Sequence, residues 1–317
     1  MIRLNQLKLP VDHTREQLIH KTAQYLRIPA ADILELQIVR QSLDARKKPE
    51  LFYVYTVDVK ADNEKQLLKM LTRKKRAGNV QLHEAMPYVF PAGGNEKLKS
   101  RPVVVGCGPA GLFCAYFLAE YGYQPVLLEQ GAPVEERQKD VEEFWKTGVL
   151  KPDSNVQFGE GGAGTFSDGK LNTGSKNERI GWILEQFAEA GASADILYDA
   201  KPHIGTDVLV EVVQNLRREI IDRGGEVRFG HRVTGLSTED GHIAALTVAG
   251  PAGGYTLPAR QVILAIGHSA RDTFEMLHAQ GVPMEPKPFS MGVRIEHRQK
   301  DINAAQYGAA AERLPAA

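Results

Sequence analysis

The sequence predicts an α/β fold in which a parallel sheet, covered by helices, follows a small α+β module. Two runs, Pro102–Val105 and Pro125–Leu128, are apolar throughout, which is typical of strands buried on both faces. The apolar stretch between them, Ala110–Tyr121, predicts a helix, and Gly122 follows it as the residue type that commonly ends one. Residues 1–90 instead contain stretches that alternate apolar and polar positions, as in an antiparallel sheet.

A glycine-rich turn follows the first of these strands. Gly106, Gly108 and Gly111 have the spacing G-x-G-x-x-G. We expect Gly106 to allow a tight turn, Gly108 to let a pyrophosphate approach the backbone, and Gly111 to let the helix pack closely. A helix starting near Pro109 and Ala110 would direct free N–H groups and its positive dipole end at those phosphates. The order of strand, glycines, helix and strand predicts a Rossmann-like dinucleotide-binding unit; the alternative is a glycine-rich turn in another kind of α/β protein.

An acidic residue ends the second strand. Glu129 follows Gly106 by about 20 residues, the spacing of the acid that binds a ribose diol in this motif. Because a carboxylate repels a 2′-phosphate, the sequence predicts FAD or NAD at this site and weak binding of NADP.

Composition limits the remaining possibilities. The chain has 317 residues, enough for two domains, and 39 basic residues balance 39 acidic ones. This balance gives no indication of nucleic-acid binding. The start of the chain has no apolar signal segment and no run reaches membrane-spanning length, so we expect a cytoplasmic protein without a membrane anchor. Cys107 and Cys114 have neither redox-pair nor metal-ligand spacing, and no metal site is predicted.

Residues 1–90 are predicted to form a ferredoxin-like α+β module. The predicted order is β-α-β-β-α, with strands over 2–7, 34–38 and 51–59 and helices after Thr14 and over Glu64–Arg73. Thr14 and Gln17 have the spacing of a capping box. A proline- and glycine-rich linker, 91–101, would join the module to the next domain.

Two basic runs lie in this module, 46–48 and 73–76. A solvated turn and a solvated helix end explain them, since cations suit the carboxyl end of a helix. Contact with RNA or another anionic partner is the alternative.

The region 102–282 is predicted to be the dinucleotide-binding domain. Pro133 is expected to begin a helix that reaches Lys146, and apolar stripes predict helices over Glu178–Glu189 and Val208–Arg223. Further predicted elements are a third parallel strand, an antiparallel meander and another buried strand: Glu226–Phe229, then 231–237, 243–248 and 255–257, then Val262–Ala265. Residues 283–317 are predicted to begin a substrate domain that is incomplete. Residues 307–317 do not complete any predicted helix or strand.

A glycine-rich loop spans 153–171, with five glycines between Gly159 and Gly169. Its many N–H groups and small side chains would allow it to surround an anion or lie along an aromatic ring. Phe158, Phe166 and Leu171 would anchor it, which a flexible linker does not need. We therefore expect a ligand-contacting loop, with a flexible surface loop as the alternative.

Six stretches together resemble a known family: RLNQLKLPVDHT, DARKKPELFYVYTVDV, VVVGCGPAGLFCA, SNVQFGEGGAGTFSDGKL, VILAIGHSARDTF and PFSMGVRIEH. The chain resembles the FAD-dependent dehydrogenase family (NAD/FAD-utilising oxidoreductases) with a small N-terminal α/β module, over essentially its whole length. The resemblance implies a glutathione-reductase-type FAD-binding domain with an inserted substrate domain. Because relatives run longer and carry a later segment against the flavin, the chain is expected to be the N-terminal part of such a protein.

The resemblance also implies roles for particular residues. Gly106, Gly108 and Gly111, with Pro109 and Ala110, would hold the FAD pyrophosphate, and Glu129 the adenosine ribose. Further cofactor contacts are implied in the glycine loop and at the end of the last buried strand: Gly161, Gly162, Gly164, Thr165, Lys170 and Gly267. The residues themselves suggest that Lys170 would stabilise the reduced flavin anion, with a solvated surface charge as the alternative, and that Asp168 would fix the loop through backbone hydrogen bonds.

The predicted function is an FAD-dependent oxidoreductase that takes electrons from reduced NAD(P)H to an unknown small-molecule substrate. Since no second G-x-G-x-x-G follows a predicted strand, the nicotinamide would bind transiently. His268 and Arg271 are candidate acid–base residues, and a hydrogen-bonded loop histidine is the alternative for His268. The rival functions are an NAD-dependent dehydrogenase without flavin and an RNA-associated flavin-binding module.

Overall fold

The computed structural model describes residues 1–62, 64–73, 77–84, 88–91, 93–167, 169–293 and 295–316. Residues 74–76 of the second basic run and Asp168 of the glycine loop lie outside these ranges, so the expectations for them stay predictions. Within the described residues, no helix is both long and apolar enough to span a membrane.

The N-terminal module is an antiparallel sheet with two helices. Its elements are β1 (Ile2–Pro10), α1 (Arg15–Leu26), β2 (Ile33–Asp44), β3 (Phe52–Ala61), α2 (Glu64–Arg73) and β4 (Val80–Leu82). The strand order is β2-β3-β1-β4, and the predicted order of elements is followed by one further short strand. The capping box at the start of α1 forms as expected, because Thr14 N–H donates to Gln17 Oε1 at 2.8 Å and Gln17 N–H donates to Thr14 Oγ1 at 3.3 Å.

The second unit is built on a parallel sheet. In chain order its elements are β5 (Val103–Val105), α3 (Pro109–Glu120), β6 (Val126–Glu129), α4 (Val134–Thr147), α5 (Arg179–Glu189), α6 (Thr206–Asp222), β7 (Glu226–Phe229), β8 (Arg232–Glu239), β9 (His242–Gly250), β10 (Gly253–Pro258), β11 (Val262–Leu264) and α7 (Arg271–Ala279). The sheet order is β11-β5-β6-β7 and every neighbouring pair is parallel. The predicted α/β, Rossmann-like fold class is confirmed.

Both faces of this sheet are covered, which explains why its central strands are apolar at every position before Glu129. Val104 and Leu127 face α3 and α6 in one core, where α6 contributes the predicted stripe. Val103, Val105 and Leu128 face the other way and pack against the antiparallel sheet β10-β9-β8. The carboxyl ends of β5, β6 and β11 therefore open at one edge, between the helices and the meander.

The sequence patterns did not predict two helices, α7 and α8 (Gln299–Tyr307). Tyr307, at the end of α8, and Ala310, in the 3-10 turn that follows, pack against Leu51 of the N-terminal module. The backbone of Gln41 in β2 also exchanges hydrogen bonds with Tyr198 (2.7 Å) and Ala200 (2.8 Å). The N-terminal module is thus in contact both with α8 and with the segment between α5 and α6.

Candidate cofactor site

The site lies where β5 ends and α3 begins. Gly106 N–H donates to Leu128 O at 2.8 Å, which ties the turn to β6, and Gly108 is the N-cap of α3. Pro109 is the first residue of α3, where its missing N–H costs no hydrogen bond. The remaining N–H groups of the first turn have no acceptor inside the helix and carry the positive end of its dipole.

The three glycines of the motif differ in their surroundings. A Cβ at Gly111 would lie 1.7 Å from Gly106 O, and a Cβ at Gly106 would lie 2.6 Å from Ala265 O. A Cβ at Gly108 would meet no atom of the described residues within 4 Å. Gly106 and Gly111 are therefore required by close packing inside the protein, while Gly108 leaves open space at the mouth of the site.

Glu129 closes β6 in a buried position. Its Oε2 accepts a hydrogen bond from Cys107 N–H at 2.7 Å, and its Oε1 accepts one from Gly131 N–H at 2.8 Å. A carboxylate has about four acceptor positions, so two backbone bonds leave capacity for a hydroxyl donor.

The glycine loop lies directly on the G-x-G-x-x-G turn. Gly161 N–H donates to Cys107 O at 2.9 Å. A Cβ at Gly162 would lie 2.9 Å from Pro109 Cδ, so the contact leaves no room for a side chain. After Gly162 the chain enters a short 3-10 turn, Ala163–Phe166.

A buried arginine that the sequence analysis missed holds this loop. Arg137 of α4 has no solvent exposure, and its guanidinium donates to four carbonyl oxygens: Asn155 (2.8 Å), Val156 (2.9 Å), Glu160 (2.6 Å) and Gly162 (2.8 Å). Burial lowers the pKa of Arg137 to about 10, so it stays protonated at neutral pH. The sequence did carry a signal, because Arg137 occupies the apolar stripe of α4 between Val134 and Val141.

Glu160 is the second buried charged residue of the loop. Its Oε2 accepts from Val134 N–H at 2.9 Å and from Arg217 Nη1 at 2.8 Å. Burial raises the pKa of Glu160 to about 7 despite these partners. Burial also raises the pKa of the Cys107 thiol well above its ordinary value, and the nearby Glu160 and Glu129 carboxylates add to this.

These elements surround a cavity of about 890 Å³. Nine of the predicted site residues line it: Gly106, Gly108, Pro109, Ala110, Glu129, Gly162, Gly164, Gly267 and His268. The far part of the lining comes from α7 and the segment after it, including Phe274, Leu277 and Met284. His268 is exposed, and its Nε2 is 3.3 Å from Ser269 Oγ.

Five predicted residues do not line the cavity. Gly111, Gly161 and Thr165 are buried behind it, in the packing that supports the turn and the loop. Lys170 is exposed and pairs its backbone with His203, and Arg271 is exposed at the first position of α7. Contacts of Lys170 and Arg271 with a ligand stay predictions.

The residues present fit FAD. The open space at Gly108 and the N–H groups of α3 suit a pyrophosphate, and the carboxylate of Glu129 suits a ribose diol. Fold and site together define a nucleotide-binding α/β protein of the Rossmann-like class. Among the described residues, no cluster of three or more His, Cys, Asp or Glu side chains could hold a metal ion.

Comparison with known proteins identifies the family. The chain belongs to the FAD binding domain family, which matches residues 99–273, and its cofactor is FAD. Residues 1–60 match a domain of unknown function, DUF8436.

Individual relatives were also found. A Clostridium beijerinckii protein described as an uncharacterized protein is 44% identical over 307 residues, which are 97% of this chain and 56% of that protein. The chain thus spans little more than half the length of this curated relative. Among solved structures, Thermovibrio ammonificans THI4 is 18% identical, with a TM-score of 0.37 over 57% of this chain and 62% of that one. The p-nitrophenol 4-monooxygenase PnpA of Pseudomonas putida is 20% identical, with a TM-score of 0.32 over 56% and 42%.

Proposed function

We propose that the chain forms the FAD-binding part of an FAD-dependent oxidoreductase. The observation that carries this proposal is the single cavity that joins the G-x-G-x-x-G turn, Glu129, the glycine loop and the end of β11. Bound FAD would supply the redox chemistry, while the protein binds and orients it. Gly108 and the N-terminus of α3 would hold the pyrophosphate, and Glu129 would accept hydrogen bonds from the ribose.

We propose a reduced nicotinamide as the electron donor. Among the described residues, only the G-x-G-x-x-G at 106–111 follows a strand and opens an α-helix. Because FAD would occupy it, the donor would bind only transiently. From the sequence we further propose a small-molecule substrate, a cytoplasmic location and acid–base roles for His268 and Arg271. We also propose that a substrate domain is inserted in the FAD-binding domain and that residues 283–317 begin it.

We also propose that the N-terminal module is ferredoxin-like. The support is its β-α-β-β-α-β order and its sheet order β2-β3-β1-β4.

The two rival functions have less support. The family match favours FAD over a flavin-free, NAD-dependent dehydrogenase. For an RNA-binding module, the basic turn 46–48 would need available cations. However, Arg46 donates to both oxygens of Asp44, at 2.7 and 2.8 Å, and Lys48 donates to Ala305 O. This pairing supports the solvated-turn interpretation.

The test is a visible spectrum of the purified protein, with mass analysis of the released cofactor, followed by anaerobic mixing with NADH and with NADPH. We expect a flavin spectrum, a released mass equal to FAD, and bleaching by at least one nicotinamide. Gly108→Val is the control that should lack the spectrum. A colourless wild-type protein that does not take up added FAD would contradict the cofactor, and bound FAD that neither nicotinamide reduces would contradict the donor.

A further inference from the structure

The guanidinium of Arg137 sits inside the glycine loop and has carbonyl oxygens as its hydrogen-bond partners. All four oxygens belong to residues 155–162, at 2.6 to 2.9 Å. The guanidinium carbon lies 4.7 Å from the centre of the Phe166 ring, which covers it. A fully buried arginine that is bonded in this way sets the orientation of several peptide groups at once.

The orientation of a carbonyl determines the orientation of the next N–H. In a trans peptide the C=O and the following N–H point in opposite directions. Glu160 O points at Arg137, and the next N–H, that of Gly161, points away and bonds Cys107 O at 2.9 Å. Gly162 O also points at Arg137, so the N–H of Ala163 is directed away from the guanidinium in the same manner.

The next residues of the loop line the cavity. Gly162, Ala163 and Gly164 line the cavity, next to Gly108 and Pro109 of the turn. Ala163 and Gly164 open a 3-10 turn, and the first N–H groups of such a turn have no acceptor within it. The protonated guanidinium behind them adds positive potential on the same side.

We propose that Arg137 is a positioning residue: it turns the N–H group of Ala163 toward the cavity, which makes the loop a second anion-binding segment beside the N-terminus of α3. This role rests on the proposed FAD site: the ligand is the diphosphate of FAD, held between this segment and the N-terminus of α3. Arg137 does not touch the cofactor, and it acts through the carbonyl of Gly162.

The experiment compares the affinity of the apoprotein for ligands that contain the diphosphate and for one that lacks it. FAD and ADP are titrated by calorimetry and adenosine by ligand-detected NMR, for wild type, Arg137→Lys and Arg137→Met. Lysine keeps the charge but has too few donors for four carbonyls. We expect both variants to lose about tenfold or more in affinity for FAD and ADP, with unchanged affinity for adenosine. Lys139→Met, an exposed change on the same helix, should affect none of the three.

A second variant tests the N–H directly and keeps Arg137. Ala163→Pro removes one donor at the first position of the turn, where proline is tolerated. We expect the same selective loss of ADP binding. Equal losses for ADP and adenosine in the Arg137 variants, or wild-type ADP affinity in Ala163→Pro, would overturn the proposal.

Discussion

The carboxylate of Glu129 is bonded to the backbone of Cys107, with Glu129 Oε2 2.7 Å from Cys107 N. The bond joins the end of β6 to the turn that follows β5, and the second oxygen of Glu129 fixes Gly131 in the same way, at 2.8 Å. The acid is thus part of the scaffold of the turn as well as of the cavity wall. The shape of the phosphate-binding turn is set in the protein itself.

Replacing Glu129 tests both of its roles. In Glu129→Gln the amide oxygen can accept a hydrogen bond from one of the two backbone N–H groups. The amide NH2 group then faces the other N–H group, and two donors cannot bond each other. We expect the apoprotein to lose about 1–3 kcal/mol of unfolding free energy, the cost of leaving a buried donor unpaired. FAD affinity should also fall. Urea unfolding and FAD titration measure the two effects, with the exposed Glu136→Gln as a control that changes neither. Unchanged stability would remove Glu129 from the scaffold.

Substitutions at Gly108 and Gly111, three positions apart, should have different effects: one on FAD binding and the other on folding. Gly108→Val adds its side chain to open space in an extended backbone conformation, so we expect normal folding and no FAD retention. Gly111→Ala would place a Cβ 1.7 Å from Gly106 O, so we expect it to unfold at markedly lower temperature. Thermal unfolding of both proteins and the ratio of flavin to protein absorbance give the answer. Full FAD retention in Gly108→Val would show that the phosphates do not approach Gly108.

The buried carboxyl of Glu160 predicts a pH dependence of stability. Burial raises its folded pKa from 4.5 to about 7, so the folded state binds a proton more tightly than the unfolded chain. The resulting stabilisation is fully present below the unfolded pKa and is lost as pH rises through the folded pKa. It amounts to about 3 kcal/mol at most. Denaturant unfolding measured across this range should show the decline in wild type and a smaller slope in Glu160→Gln. Parallel pH profiles would show that burial does not raise the pKa of Glu160 in the folded protein.

The two cysteines should differ in reactivity. Cys107 is fully buried and Cys114 is half-buried, and burial raises the pKa of both thiols. We expect iodoacetamide at neutral pH to modify Cys114 slowly and Cys107 only after unfolding. Peptide mass analysis of native and urea-treated samples separates the two sites. Labelling of native Cys107 at the rate of Cys114 would mean that the turn opens in solution.

The predictions from sequence succeeded where the signal is local. The strands β5 and β6 are apolar at every position before Glu129 because both faces are covered, and the glycines between them follow in motif spacing. The helix α8 was missed because its anchor, Tyr307, packs against Leu51, far away in the chain. Arg137 was missed as well, since an arginine in an amphipathic helix normally reaches solvent.

The sequence by itself therefore determined the parallel-sheet unit, its covering helices and the nucleotide-binding turn, because neighbouring residues carry those signals. The tertiary structure alone decided which loop residues face the cavity and which support it. Arg137 bonds Asn155, 18 positions away, and Arg217 bonds Glu160, 57 positions away. Such contacts form only when distant segments fold together, and they orient the peptide groups of the glycine loop. Local periodicity contains no information about that orientation.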